Sequence, residues 1–313
     1  MSHTKTGLPL RPASAAALPR PPEGLEPIDR IKRRWPTYIG AALTLAMIVG
    51  LGRELFGHGL AGLSRAAPDG VGYYLCVALL YMSPPTGDFI IFRRLWRIPI
   101  DGMAALLKKR IANEVVFGYS GEAFFYAWAR QRAQMVAAPF GAVKDVSILS
   151  AIAGNVMTLA MVGLALFLGI HRLTPEQLEQ ILWSVPIILL ITVPFLIFSK
   201  RVFSLPRAEL WWVFGVHCTR LIAGSLLISL AWHFALPAVT LGTWMFLAAM
   251  RMLVSRLPLV PNKDLLFANF AILLIGEDAA LSELVAFTSA ITLLIHVVLI
   301  AGFGAYALVK RQK

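Results

Sequence analysis

Charge is what this chain has least of. Asp, Glu, Lys and Arg make up 15% of its 313 residues, where a soluble globular domain carries about 25%. The deficit excludes an ordinary water-soluble domain. Only two cysteines are present, Cys76 and Cys218. Both fall inside apolar runs, so they read as small packing residues rather than as a disulfide or a metal pair. Strict alternation of apolar and polar residues is missing, which argues against a membrane β-barrel. There is no His-Glu-x-x-His, no Gly-x-Ser-x-Gly and no phosphate-cradling glycine loop, so nothing points to zinc hydrolysis, a serine nucleophile or ATP-driven transport by this chain alone. His217, His233 and His296 have no metal-ligand spacing and read as packing residues. Thr86-Gly87-Asp88 lacks the leading glycine of an intramembrane aspartyl protease string. No cofactor and no metal are expected.

What the chain does have is apolar length. Hydrophobic residues are 58% of the sequence, and the mean hydropathy is +0.71. Continuous apolar runs near the ~20 residues of a bilayer-spanning helix recur along it. The fold class expected is all-α: a polytopic transmembrane helical bundle of about seven or eight spans with two broken or re-entrant helical segments. Candidate spans are Tyr38–Phe56, Val71–Phe92, Ser147–Ile170, Ile181–Phe198, Leu210–Phe234, Ala238–Leu257 and Leu281–Leu308.

The formal net charge is +12, and its placement speaks for a membrane rather than for nucleic acid. Basic residues cluster beside the apolar runs, where orientation and anionic headgroups explain them. Arg30-Ile-Lys-Arg-Arg34 abuts the first span; Arg93, Arg94, Arg97, Lys108, Lys109 and Arg110 follow the second; Lys200, Arg201 and Arg207 follow the fourth. The alternation predicts an inner-membrane protein with a cytoplasmic N-terminus, and the Lys310-Arg-Gln-Lys313 tail favours a cytoplasmic C-terminus as well. Residues 1–36 lack the apolar region of a signal peptide and are rich in Pro, Arg and Ala. They read as a disordered cytoplasmic tail, with residues 37–313 forming the transmembrane domain.

Two apolar stretches are broken by polar motifs. The first reads Glu114-Val-Val-Phe-Gly-Tyr-Ser-Gly-Glu122 and runs on to Trp128; the second reads Leu257-Pro-Leu-Val-Pro-Asn-Lys-Asp264 and runs on to Gly276. Broken helices inside lipid are tolerated only where protein or a wet cavity shields the backbone. The breaks share a plan. Arg110 precedes Ser120 as Arg251 precedes Asn262, and an acid, Glu122 or Asp264, follows two residues later. Ser120 and Asn262 are good N-cap residues, and half-helix N-termini attract anions. Pro84-Pro85 is expected to interrupt the second span near its inner end, with Asp88 paired to Arg93 or Arg94 or else facing a polar pathway. Arg220 and Arg251 lie within spans, where a charge costs at least about 2.5–3.5 kcal/mol and turns to the protein interior. Arg220 is expected to pair with Glu122 or Asp264, to grip a phosphate in a bidentate fork, or both. Lys263 either reaches the same phosphate or snorkels to the interface.

The arrangement resembles the lysylphosphatidylglycerol-synthase transmembrane family, also called flippase-like or AglD-like integral membrane proteins. Asn113 followed by Gly118-Tyr-Ser-Gly121-Glu122, and the later proline-rich break Leu257-Pro-Leu-Val-Pro261, carry the resemblance over residues 38–308. The chain departs from it after that break, where Asn262-Lys263-Asp264 replaces a glycine-rich stretch and a glutamate. The resemblance implies movement of a lipid or lipid-linked sugar across the bilayer, or company with a lipid-biosynthetic enzyme. Members that aminoacylate lipids carry a soluble catalytic domain, and three residues after Lys310 leave none to be expected here. The residues expected to hold an anionic phospholipid or lipid-linked headgroup are Arg110, Asn113, Ser120, Gly121, Glu122, Arg220, Arg251, Asn262, Lys263 and Asp264. Two rival expectations are an enzyme with Glu122 or Asp264 as general base and a non-catalytic scaffold for a biosynthetic complex.

Overall fold

The computed structural model describes residues 67–116, 120–132, 139–169, 175–197, 202–256 and 278–311. The N-terminal tail, the candidate span Tyr38–Phe56 and the whole second break, with Asn262, Lys263 and Asp264, lie outside the described residues. Within the described residues the elements are eight α-helices and no strand. They are α1 (Val71–Trp96), α2 (Gly102–Val115), α3 (Ser120–Arg132), α4 (Pro139–Gly169), α5 (Pro175–Ile197), α6 (Arg207–Ala235), α7 (Leu241–Arg256) and α8 (Asp278–Arg311).

Three of them, α1, α4 and α6, are long and apolar enough to cross a membrane. They correspond to the candidate spans at Val71–Phe92, Ser147–Ile170 and Leu210–Phe234. α4 starts eight residues before Ser147 because Ala142, Val143 and Val146 are buried against the core, and its early charges, Lys144 and Asp145, turn to the segment before α6. α7 has sixteen residues, about 24 Å at 1.5 Å per residue.

Two apolar layers give the bundle its shape. In the first, Tyr73, Cys76 and Val77 of α1 meet Ile228, Ala231 and Trp232 of α6, with Trp244 and Leu247 of α7 and Phe287 of α8. The second joins Ile91, Phe92 and Trp96 of α1 to Phe125 of α3, Val143 of α4 and Val213 of α6. The order of these residues is reversed along α6 relative to α1, so the two helices run antiparallel through both layers. What lies between the layers is polar. On α1 the intervening positions include Pro84, Gly87 and Asp88; on α6 they include His217 and Arg220.

α1 runs through Pro84 and Pro85 without a break, contrary to the expected interruption. Each proline deprives the carbonyl four residues earlier of its donor. For Pro85 that carbonyl is on Tyr81, and Arg110 Nη1 donates to it. A neighbouring helix thus supplies the hydrogen bond that proline removes. Arg93 and Arg94, at the end of α1, do not hold Asp88. Arg93 donates to the Ile98 carbonyl at 2.8 Å, and Arg94 pairs with Glu209 at 3.1 Å.

Candidate functional site: a charged chamber beside an apolar groove

The short helices α2 and α3 form the wall of the polar layer. Gly121 lets them meet: a Cβ there would lie 2.0 Å from the Lys109 carbonyl oxygen. The break between them is closed by side chains. Asn113 Oδ1 accepts from the Gly121 N–H at 2.7 Å, and the buried Ser120 hydroxyl donates to the Ala112 carbonyl at 2.7 Å. The start of α3 is therefore capped by Asn113, where the sequence pointed to Ser120.

Lys109 stands at the centre. Its Nζ is 2.6 Å from Asp88 Oδ2 on α1 and 3.4 Å from Glu122 Oε1 on α3. The Lys109 and Asp88 side chains are 8% and 11% exposed. One cation thus ties three helices together through two carboxylates. Sequence reasoning counted Lys109 among the basic residues flanking a span and missed this role. A signal was present, because Lys109 occupies the helical stripe of Ala105, Leu106 and Ala112, all buried and spaced by three or four residues. A lysine in such a stripe must find an acid.

Arg220 enters from α6 and lies about 20 Å from the helix start at 1.5 Å per residue, near mid-helix. Its Nη2 donates to Ser150 Oγ of α4 at 2.7 Å, so Ser150 takes the place expected of Glu122. Gly87 provides the room, since a Cβ there would sit 2.9 Å from Arg220 Cδ. Arg110 is engaged with Glu114 at 2.8 Å, with the Tyr81 carbonyl and with the face of the Tyr81 ring at 4.1 Å. Glu114 in turn meets His296 of α8 at 3.1 Å.

These side chains surround a chamber of about 170 Å³. Asp88, Glu114 and Glu122 balance Lys109, Arg110 and Arg220 in formal charge. Two buried polar atoms on its walls have no hydrogen-bond partner among the described residues: Glu122 Oε2 and Arg220 Nε. His217 is wholly buried beside them, with the Val146 backbone as a hydrogen-bond partner. Unmet buried groups of this kind cost about 1–3 kcal/mol each, and a polar guest would recover part of that cost. Glu122 and Arg220 line the same space, so the chamber is suited to binding a polar group.

Beside it lies a larger groove of about 650 Å³ between α3, α4 and α5, with Ala123, Tyr126, Phe140, Ile148 and Ile152 on its predominantly apolar walls. Glu122 and Ser147 belong to the linings of both spaces. The structure thus brings together Arg110, Asn113, Glu122 and Arg220 around the chamber and sets Ser120 and Gly121 in the joint behind it. Arg251 lies apart on α7, in a cleft of about 290 Å³ that reaches the other side of Arg220. No cluster of three metal-ligating side chains occurs among the described residues.

Asp145 is a further buried acid that the sequence did not single out. Its Oδ2 accepts from the backbone N–H groups of Ser204 and Leu205 at 2.6 and 2.7 Å. It anchors the segment that leads into α6 and so fixes the helix that carries Arg220. Comparison of the chain with family models, with curated proteins and with solved structures finds no match.

Proposed function

We propose that the protein is a flippase-like inner-membrane protein that binds an anionic lipid or lipid-linked precursor and lets its headgroup cross the bilayer. In this reading the phosphate enters the chamber against Arg220, and the acyl or prenyl chain lies in the apolar groove. The observation that carries the reading is the continuity of the two spaces through Glu122 and Ser147. An amphiphile needs one polar and one apolar compartment with a common wall, and this pair supplies both.

The hairpin of α2 and α3 supports placement within the bilayer as a re-entrant element. Its helices have 14 and 13 residues, about 20 Å each, too short for a hydrocarbon core of about 30 Å. Backbone groups at a break in lipid must be met by protein, and Arg110, Asn113 and Ser120 meet such groups here. The proposal keeps the seven or eight spans and the cytoplasmic N-terminus that the apolar runs and the basic clusters of the sequence led us to expect.

The test is reconstitution of the full chain in phosphatidylcholine vesicles containing a fluorescent phosphatidylglycerol, whose movement between leaflets is read by an impermeant quencher. Wild type accelerates exchange, and Arg220→Ala and Glu122→Gln slow it. Wild-type rates in both folded variants would remove these residues from the mechanism, and exchange no faster than in empty vesicles would refute the reading.

A further inference from the structure

Glu122 stands where the chamber meets the groove and lines both. Of the three acids around the chamber it is the least firmly held. Asp88 has Lys109 at 2.6 Å, and Glu114 has Arg110 at 2.8 Å and His296 at 3.1 Å. Glu122 has Lys109 at 3.4 Å from Oε1, while its Oε2 is buried and has no hydrogen-bond partner among the described residues. The other charged or titratable groups lining these two spaces are Asp88 from α1, Lys109, Arg110 and Glu114 from α2, Lys144 from α4, and His217 and Arg220 from α6, with Tyr126 on α3 itself.

An ionised carboxylate accepts hydrogen bonds and donates none. The free oxygens of a phosphodiester are also acceptors. The chamber, at about 170 Å³, holds the volume of roughly five or six waters at about 30 Å³ each. A phosphate confined there sets lone pairs against lone pairs and one negative charge against another at Glu122. A like charge so near favours the neutral acid. A proton on Glu122 removes both conflicts. It turns an acceptor into an O–H donor for a phosphate oxygen, and Lys109 keeps its shorter bond to Asp88.

We propose that Glu122 takes up a proton as the phosphate enters, so that the protein carries a headgroup anion and a proton together. The inference rests on the lipid reading above. The proton comes from the surrounding water, forms the O–H bond at Oε2, and returns to water when the phosphate leaves. The load adds no net charge to the chamber, which lowers the cost of moving it through the bilayer.

Calorimetry of the full-length protein in detergent tests the coupling. It would be titrated with dihexanoyl phosphatidylglycerol, and separately with dimethyl phosphate, in buffers of different ionisation enthalpy. The dependence of the heat on the buffer counts the protons taken up. Wild type is expected to take up as much as about one proton per lipid bound, with affinity rising as pH falls by up to about tenfold per pH unit. Glu122→Gln offers an amide donor at every pH and is expected to bind the lipid without proton uptake and with an affinity independent of pH. Lipid binding by wild type with no buffer dependence overturns the coupling and leaves the lipid reading intact. Uptake that persists in Glu122→Gln places the proton elsewhere and also overturns it. Dimethyl phosphate bound as tightly as the lipid overturns the lipid reading, and no binding of either ligand overturns both. Should the variant fail to fold, the infrared difference spectrum of wild type decides: a protonated carboxyl band must appear on lipid binding, and its absence overturns the proposal.

Discussion

Replacing Lys109 with Met should be among the most damaging single changes in the protein. Methionine is close to lysine in length, so the change removes a charge without opening a cavity. Lys109 is buried between Asp88 at 2.6 Å and Glu122 at 3.4 Å. Its loss leaves two largely buried carboxylates without the cation between them. Breaking a buried pair by removing one partner costs about 3–5 kcal/mol. On the scale of about 2–4 °C per kcal/mol for domains of 150–250 residues, that is a fall of roughly 10 °C in melting temperature. Thermal unfolding of the full chain in detergent, followed by size-exclusion of the soluble fraction, measures it. The cause can be separated from simple loss of a side chain. Adding Asp88→Asn and Glu122→Gln to Lys109→Met removes both stranded charges and should return most of the lost stability. A single variant that melts within about 2 °C of wild type, or a triple variant as unstable as the single, would refute the claim that Lys109 neutralises these acids.

Other changes probe the neighbouring joints. Gly121→Ala drives a methyl into the Lys109 backbone and should cost about 3 kcal/mol or more by prising α2 from α3, seen as a lower melting temperature or loss of folded yield. Arg110→Ala should cost less in a Pro85→Ala background than in wild type, by about 1 kcal/mol, because alanine at position 85 returns a helical donor to the Tyr81 carbonyl; a double-mutant cycle on melting temperature reads the difference, and exact additivity would contradict the role given to Arg110. Asp145→Ala strands the Ser204 and Leu205 N–H groups and should cost about 2 kcal/mol or more, with faster amide hydrogen exchange at both residues.

Much of the scaffold could be read from the chain itself. Apolar length located α1, α4 and α6, because lipid-compatible helices must be both long and continuous. The interruption after Val115 was visible as glycine and serine inside an apolar run. The misplaced features share one cause: the second apolar run was followed by a basic cluster that held Lys109, and the third was begun only at Ser147, past Lys144 and Asp145. Lys109, Lys144 and Asp145 all lie inside helices, and each is accommodated by a partner from another element. Such pairing depends on which helices become neighbours, and that is not written in local composition. Pro84-Pro85 failed as a predicted interruption for the same reason, since the donor that rescues Tyr81 comes from position 110. Gly87 and Gly121 carry no signal that distinguishes them from flexible-loop glycines until the atoms opposite them are known. The candidate headgroup residues around the first break were brought to one place, but Arg110 is already engaged with Glu114 and Tyr81.

The Asp88–Lys109 pair also bears on how the protein is made. The two residues are only 21 positions apart, on consecutive helices. A carboxylate entering hydrocarbon alone faces a steep barrier during synthesis. In the re-entrant reading proposed above, its counterion leaves the ribosome almost directly behind it, so α1 and α2 partition into the bilayer together as a neutral couple. Biogenesis of this region would then proceed by paired helices, and Glu122 would dock onto a cation that has already been delivered.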